Sequence, residues 1–98
     1  MDALNIKEET GLDFSSKHDG NMHACGHDAH MAITLGAAKI LQENREEIQG
    51  NIKLIFQPAE EGPGGAKPMI KNGVLKNPDV KAIIGFHIGQ IFDELENC

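Results

Sequence analysis

Two short apolar runs with one brief helical pattern between them constrain this chain more than anything else in it. In "NIKLIFQP", Ile52, Leu54, Ile55 and Phe56 make a nearly continuous apolar stretch that stops at Pro58. In "VKAIIGFHI" a second such stretch follows Pro78. Continuous rather than alternating apolar residues are the pattern of a strand covered on both faces, the usual condition in a parallel sheet. The intervening "AKPMIKNG" predicts a brief helix, with Pro68 tolerated in its first turn and Gly73 ending it. Strand, helix and strand with short connections predict a βαβ unit with parallel strands and a right-handed crossover. The expected fold class is therefore α/β, a partial mixed or parallel sheet with flanking helices.

Upstream, residues 1–27 read as irregular chain punctuated by Gly11, Gly20 and Gly26. From Asp28 onward, Met31, Leu35, Ala38 and Leu41 recur at helical spacing, with Asp28 as the expected N-cap and Gly50 as the stop. This helix precedes the first strand through a tight turn, so it runs back along it and its start returns to the edge where the strands end. No linker or repeat divides the 98 residues, which suit one domain with a thin core. The net charge of −6 and the scattering of the nine Lys and Arg residues argue against nucleic acid as a partner. The opening "MDALNIKEET" lacks the basic start and apolar run of a signal peptide, and no stretch reaches membrane length. A cytoplasmic location without membrane attachment is expected, and there a Cys25–Cys98 disulfide is disfavoured.

Metal-ligating residue types concentrate at the expected sheet edge. "MHACGHDAH" holds Cys25, His27 and His30; "QPAEEGPGG" holds Glu60 and Glu61 just past the first strand; His87 lies near the end of the second. Four candidate ligands, Cys25, His27, one of Glu60 and Glu61, and His87, would thus meet where open α/β sheets carry their sites. In extended backbone, residues two apart point the same way, and Gly26 between Cys25 and His27 removes a side chain that would crowd an ion. Adjacent Glu60 and Glu61 cannot both face one ion on extended chain, so one would ligate while the other takes a proton from water, the pairing that metal-assisted hydrolysis needs. "GPGG" reads as a loop suited to close approach of a substrate. His30, one helical turn beyond His27, either supports a ligand or faces solvent. His18 is expected in solvent, and His23 either supports the site or packs a loop.

The blocks "MDALNIKEETG", "MHACGHDAH", "LGAAKIL" and "LIFQPAEEGPGGAKPMIKNGVL" together resemble the amidohydrolase branch of the dinuclear metal-dependent aminoacylase and carboxypeptidase family. That branch includes hippurate hydrolases, auxin-conjugate hydrolases and N-acetyldiaminopimelate deacetylases. The resemblance implies a metallopeptidase-like catalytic domain and hydrolysis of the amide of N-acyl amino acids with two divalent ions, Zn or Mn foremost and Co or Ni as further options. It implies Cys25 as a ligand bridging both ions, His27 and Glu61 as ligands, His87 on the second ion, Glu60 as general base and Asp2 as a supporting residue. It also implies that residues 1–98 are part of a catalytic domain, without the lid and dimerisation domain and the last histidine ligand. Asn5 stands where the family has proline, and "GQIFDELENC" does not supply that histidine. On this reading the piece alone has little activity, and its unfinished sheet edges favour self-association.

Two other readings compete with an enzyme: a non-catalytic metal-binding or interaction module, or the remnant of a shortened gene. A structural zinc finger is disfavoured, because the doubled Glu and the glycine-rich loop suit an open site.

Overall fold

The computed structural model describes residues 1–89, and their order is an irregular N-terminal segment, helix α1 (His27–Glu43), a 3-10 turn (Arg45–Glu47) and helix α2 (Ala66–Lys71), followed by irregular chain. The considered disulfide and the "GQIFDELENC" segment involve residues outside that range. Among the described residues no helix is long and apolar enough to cross a membrane.

Helix α1 begins one residue before the expected cap. Gly26, not Asp28, is its N-cap, in a left-handed conformation with φ 76° and with no side-chain capping bond. Glycine adopts that backbone freely, whereas an L side chain there is strained. At the far end Asn44 closes the helix, its backbone N–H and its Nδ2 both donating to the Ile40 carbonyl at 3.1 and 2.8 Å. The chain then tightens into the 3-10 turn before it reaches Gly50. Helix α2 stands where "AKPMIKNG" places it. Gly73, at φ 84°, ends it in a double-bonded cap: its N–H reaches the Ile70 carbonyl at 2.9 Å and the Val74 N–H reaches Met69 at 3.0 Å.

The expected sheet is not formed among the described residues. Their one β-type pairing is an isolated antiparallel bridge between Leu4 and Met22, and the runs over 52–57 and 80–88 make no ladder with each other. The physical reason lies in their coverage. A parallel strand with apolar side chains on both faces needs neighbours on both, yet Ile52 is 53% exposed, Ile83 71% and Ile84 93%. No hydrophobic side chain among the described residues is buried, so the thin core expected from the composition is not closed.

The segments are nevertheless pinned by polar contacts. Lys53 donates from Nζ to the carbonyls of Val74 (3.0 Å), Lys76 (2.7 Å) and Pro78 (3.3 Å), tying the first apolar run to the connection that leads to the second. The 59–64 turn closes through the Gly64 N–H to Ala59 carbonyl bond of 2.9 Å, with Ala59 itself at φ 54°. Gly65 sits directly against the Pro58 carbonyl, which a β-carbon would strike. The glycines of "GPGG" thus include one that the backbone's own close approach demands, a structural duty that the sequence reading assigned to substrate.

Candidate metal centre

His27 is the buried polar side chain of the described residues, 6% exposed in a chain that buries no apolar one. It occupies the first position of α1, immediately after the left-handed Gly26, so the Cys25–Gly26–His27 segment is a tight turn into a helix and not extended chain. A β-carbon on Gly26 would meet only ordinary contacts, His30 Nε2 at 3.7 Å and Ile88 Cβ at 3.9 Å. Backbone conformation, rather than room for an ion, is what calls for glycine there.

Asp2 organises the neighbours of His27. Its backbone carbonyl accepts from His27 Nδ1 at 3.0 Å, while its carboxylate accepts the N–H of Glu60 at 3.2 Å and of Glu61 at 2.9 Å. The Glu61 N–H is the main reason that the Asp2 carboxyl is held well below the usual carboxylate range, with the Glu60 N–H adding to it and partial desolvation opposing. One residue thereby orients an imidazole and a pair of carboxylates together.

With Nδ1 engaged, His27 turns Nε2 toward Glu60 Oε2 at 3.5 Å and Glu61 Oε1 at 3.8 Å. His87 repeats the arrangement. Its Nδ1 donates to the Ile88 carbonyl at 2.6 Å, and its Nε2 lies 3.6 Å from Cys25 Sγ. An imidazole whose one nitrogen gives its proton to a carbonyl and whose other faces sulfur or carboxylate oxygen is oriented as a metal ligand is. Two groups result, Cys25 with His27 and His87, and His27 with Glu60 and Glu61; within each the ligating atoms lie within 4.8 Å of one another. Lone pairs gathered this way are reconciled by a cation or a proton between them, and soft sulfur, imidazole and carboxylate suit a divalent transition metal.

His27 belongs to both groups, but a single ring lone pair cannot serve two ions. The Cys25 thiol is pushed above its usual range, chiefly by its hydrogen bond to Glu61, then by desolvation and by the charges of Glu61, Glu60 and Asp2. A metal taking this sulfur as ligand therefore displaces a firmly held proton.

His30 lies between the groups, its Nε2 accepting the Ile88 N–H at 2.9 Å and its ring edge-on to His87 at 4.7 Å between centroids. Its pKa is lowered, first by desolvation and then by His87 and His27. His18 and His23 are exposed and belong to neither group. Sequence reasoning missed Phe86 and Ile88, whose roles run through a ring edge and a backbone N–H that no residue pattern advertises.

A cluster of this composition suits a metallopeptidase-like, metal-binding segment. The sequence profile of peptidase family M20/M25/M40 matches residues 1–97, and the chain belongs to that family. It is 56% identical over 88 residues to the IAA-amino acid hydrolase ILR1-like 4 of Arabidopsis thaliana, a match covering 90% of this chain and 20% of that protein. It is also 56% identical over 90 residues to the N-acetyldiaminopimelate deacetylase of Geobacillus sp. (strain WCH70), covering 90% of this chain and 23% of the relative. The crystal structure of the Bacillus subtilis YXEP protein, a dinuclear metal binding peptidase of the M20 family, superposes with a TM-score of 0.73 at 53% identity, over 76% of this chain and 21% of that one. The chain thus spans about a fifth of the length of the relatives it matches.

Proposed function

We propose that this chain forms the metal-holding part of an amidohydrolase that cleaves the amide bond of N-acyl amino acids. The observation that carries the reading is the shared orientation of His27 and His87, each with Nδ1 given to a backbone carbonyl and Nε2 turned to sulfur or carboxylate. The names of the relatives, hydrolases and deacetylases of amino acid conjugates, supply the substrate class.

On this reading Cys25, His27, Glu61 and His87 would hold two divalent ions, Zn or Mn first among the options. When bound, such ions act as Lewis acids that polarise the amide carbonyl and acidify water. Glu60 acts as the general base: its carboxylate takes a proton from the attacking water and returns it to the departing amide nitrogen. Asp2 keeps the backbone of Glu60 and Glu61 in register with His27 throughout. A thiol ligand has to stay reduced, which supports the cytoplasmic placement as part of the same proposal.

A second reading, metal binding without turnover, is favoured by the openness of the base, since the Glu60 side chain is 57% exposed. Zinc and manganese titration of the purified chain, followed by assay with hippurate and N-acetyl amino acids, tests both. Two bound ions with slight hydrolysis by these 98 residues, and loss of hydrolysis with retained metal in Glu60→Gln of a full-length relative, agree with the first reading. Retained hydrolysis in that variant removes Glu60 from the role.

A further inference from the structure

The segment that carries His87 has little to hold it. Residues 82–89 are exposed throughout and join no ladder. Two polar links to distant chain secure it among the described residues: the long contact between Cys25 Sγ and His87 Nε2 at 3.6 Å, and the Ile88 N–H donated to His30 Nε2 at 2.9 Å. The second is the firmer, because an N–H to imidazole bond of that length is fully formed whereas a sulfur contact is weak. The His30 ring adds an edge-on contact with Phe86, centroids 5.9 Å apart at 82°, and another with His87 at 4.7 Å and 67°. Since His30 stands on the first turn of α1, it joins a rigid element to a loosely held ligand.

We propose that His30 is a positioning residue for His87: by accepting the Ile88 N–H it clamps residues 86–88 to α1 and sets the His87 imidazole opposite Cys25. From sequence alone His30 either supports a ligand or faces solvent, and the ligand next to it along the chain is His27, three residues away. The contacts assign it to His87, 57 residues on. The clamp orders a ligand before metal arrives, so its removal charges that ordering cost to the ion served by His87. The ion served by His27 and the carboxylates keeps its own supports through Asp2. This inference rests on the reading of His87 as a ligand.

The test uses the chain with His30→Phe, which keeps a ring and loses the acceptor, and His30→Gln, whose side-chain carbonyl restores an acceptor. Amide hydrogen exchange at Ile88 without metal reads the clamp itself: slow exchange in the parent and in His30→Gln, fast in His30→Phe. Unchanged exchange in His30→Phe overturns the clamp whatever the metals do. Zinc titration calorimetry reads the consequence, with circular dichroism confirming that α1 is intact. His30→Phe is expected to weaken one of two zinc equivalents about tenfold or more while sparing the other, as outer supports of metal ligands do, and His30→Gln recovers most of that loss. Equal weakening of both equivalents, or of neither, contradicts the proposal. His87→Ala separates the two levels: if it leaves both equivalents intact, the ligand reading has failed, whereas loss of one equivalent there with none lost in His30→Phe defeats the clamp alone.

Discussion

At the scale of single residues, Asp2 bears on the candidate site out of proportion to its size. It touches His27 through a carbonyl and both glutamates through its carboxylate, so Asp2→Ala removes the acceptor for two backbone N–H groups while leaving every proposed ligand in the chain. Zinc affinity of that variant is expected to fall about 10–100-fold; calorimetry giving the parent's affinity would show that the contacts are incidental. A second residue-level prediction concerns Glu8, which accepts from Thr10 Oγ1 at 2.6 Å and from the Ser16 N–H at 2.7 Å. Those bonds, Thr10 first, hold its carboxyl below the ordinary glutamate range. Because folding lowers this pKa, the contribution is complete above the unfolded value and is lost as pH falls through the folded one. Amide exchange at Ser16, compared with Glu8→Gln, is expected to show an acid-side loss of protection in the parent alone; matching profiles for the two proteins would contradict it.

Between helices and loops, glycine positions separate what a sequence discloses from what it hides. The two helices were legible, since Met31, Leu35, Ala38 and Leu41 keep helical spacing and Gly73 ends α2 where its pattern stops. The donor residues were legible too, because sulfur, imidazole and paired carboxylate are chemically rare together. What Gly26 and Gly65 do was not legible: one sets a left-handed entry to α1 and the other admits the Pro58 carbonyl, both matters of backbone path. The role of Asp2 came only through family resemblance, for an isolated aspartate near a terminus carries no pattern of its own. The apolar runs read as strands because apolar continuity signals burial, yet pairing depends on partners that the run does not encode. Gly65→Ala tests the close approach: the added methyl group strikes backbone, and the expected cost is about 1–3 kcal/mol, seen as a lower urea midpoint. An unshifted midpoint would mean that the 58–65 loop has room to spare.

Taken whole, the molecule gathers polar ligands while leaving apolar surface open. Its radius of gyration is 17.4 Å, against about 13 Å for a compact domain of 100 residues. Large side chains such as Phe14, Ile83 and Ile84 stand in solvent. Apolar surface of this kind promotes association, so sedimentation of the isolated chain is expected to show oligomers that grow with concentration; a monomer at every concentration would contradict that expectation. Residues from the N-terminal loop, α1, the 60–61 turn and the 86–88 segment are proposed to share metal, and everything above depends on it. X-ray absorption of the zinc-loaded chain tests it most directly. A mixed shell is expected, with sulfur at about 2.3 Å and imidazole nitrogen, the sulfur disappearing in Cys25→Ala and the imidazole signal shrinking in His87→Ala. A shell of oxygen alone, unchanged by either substitution, would contradict it.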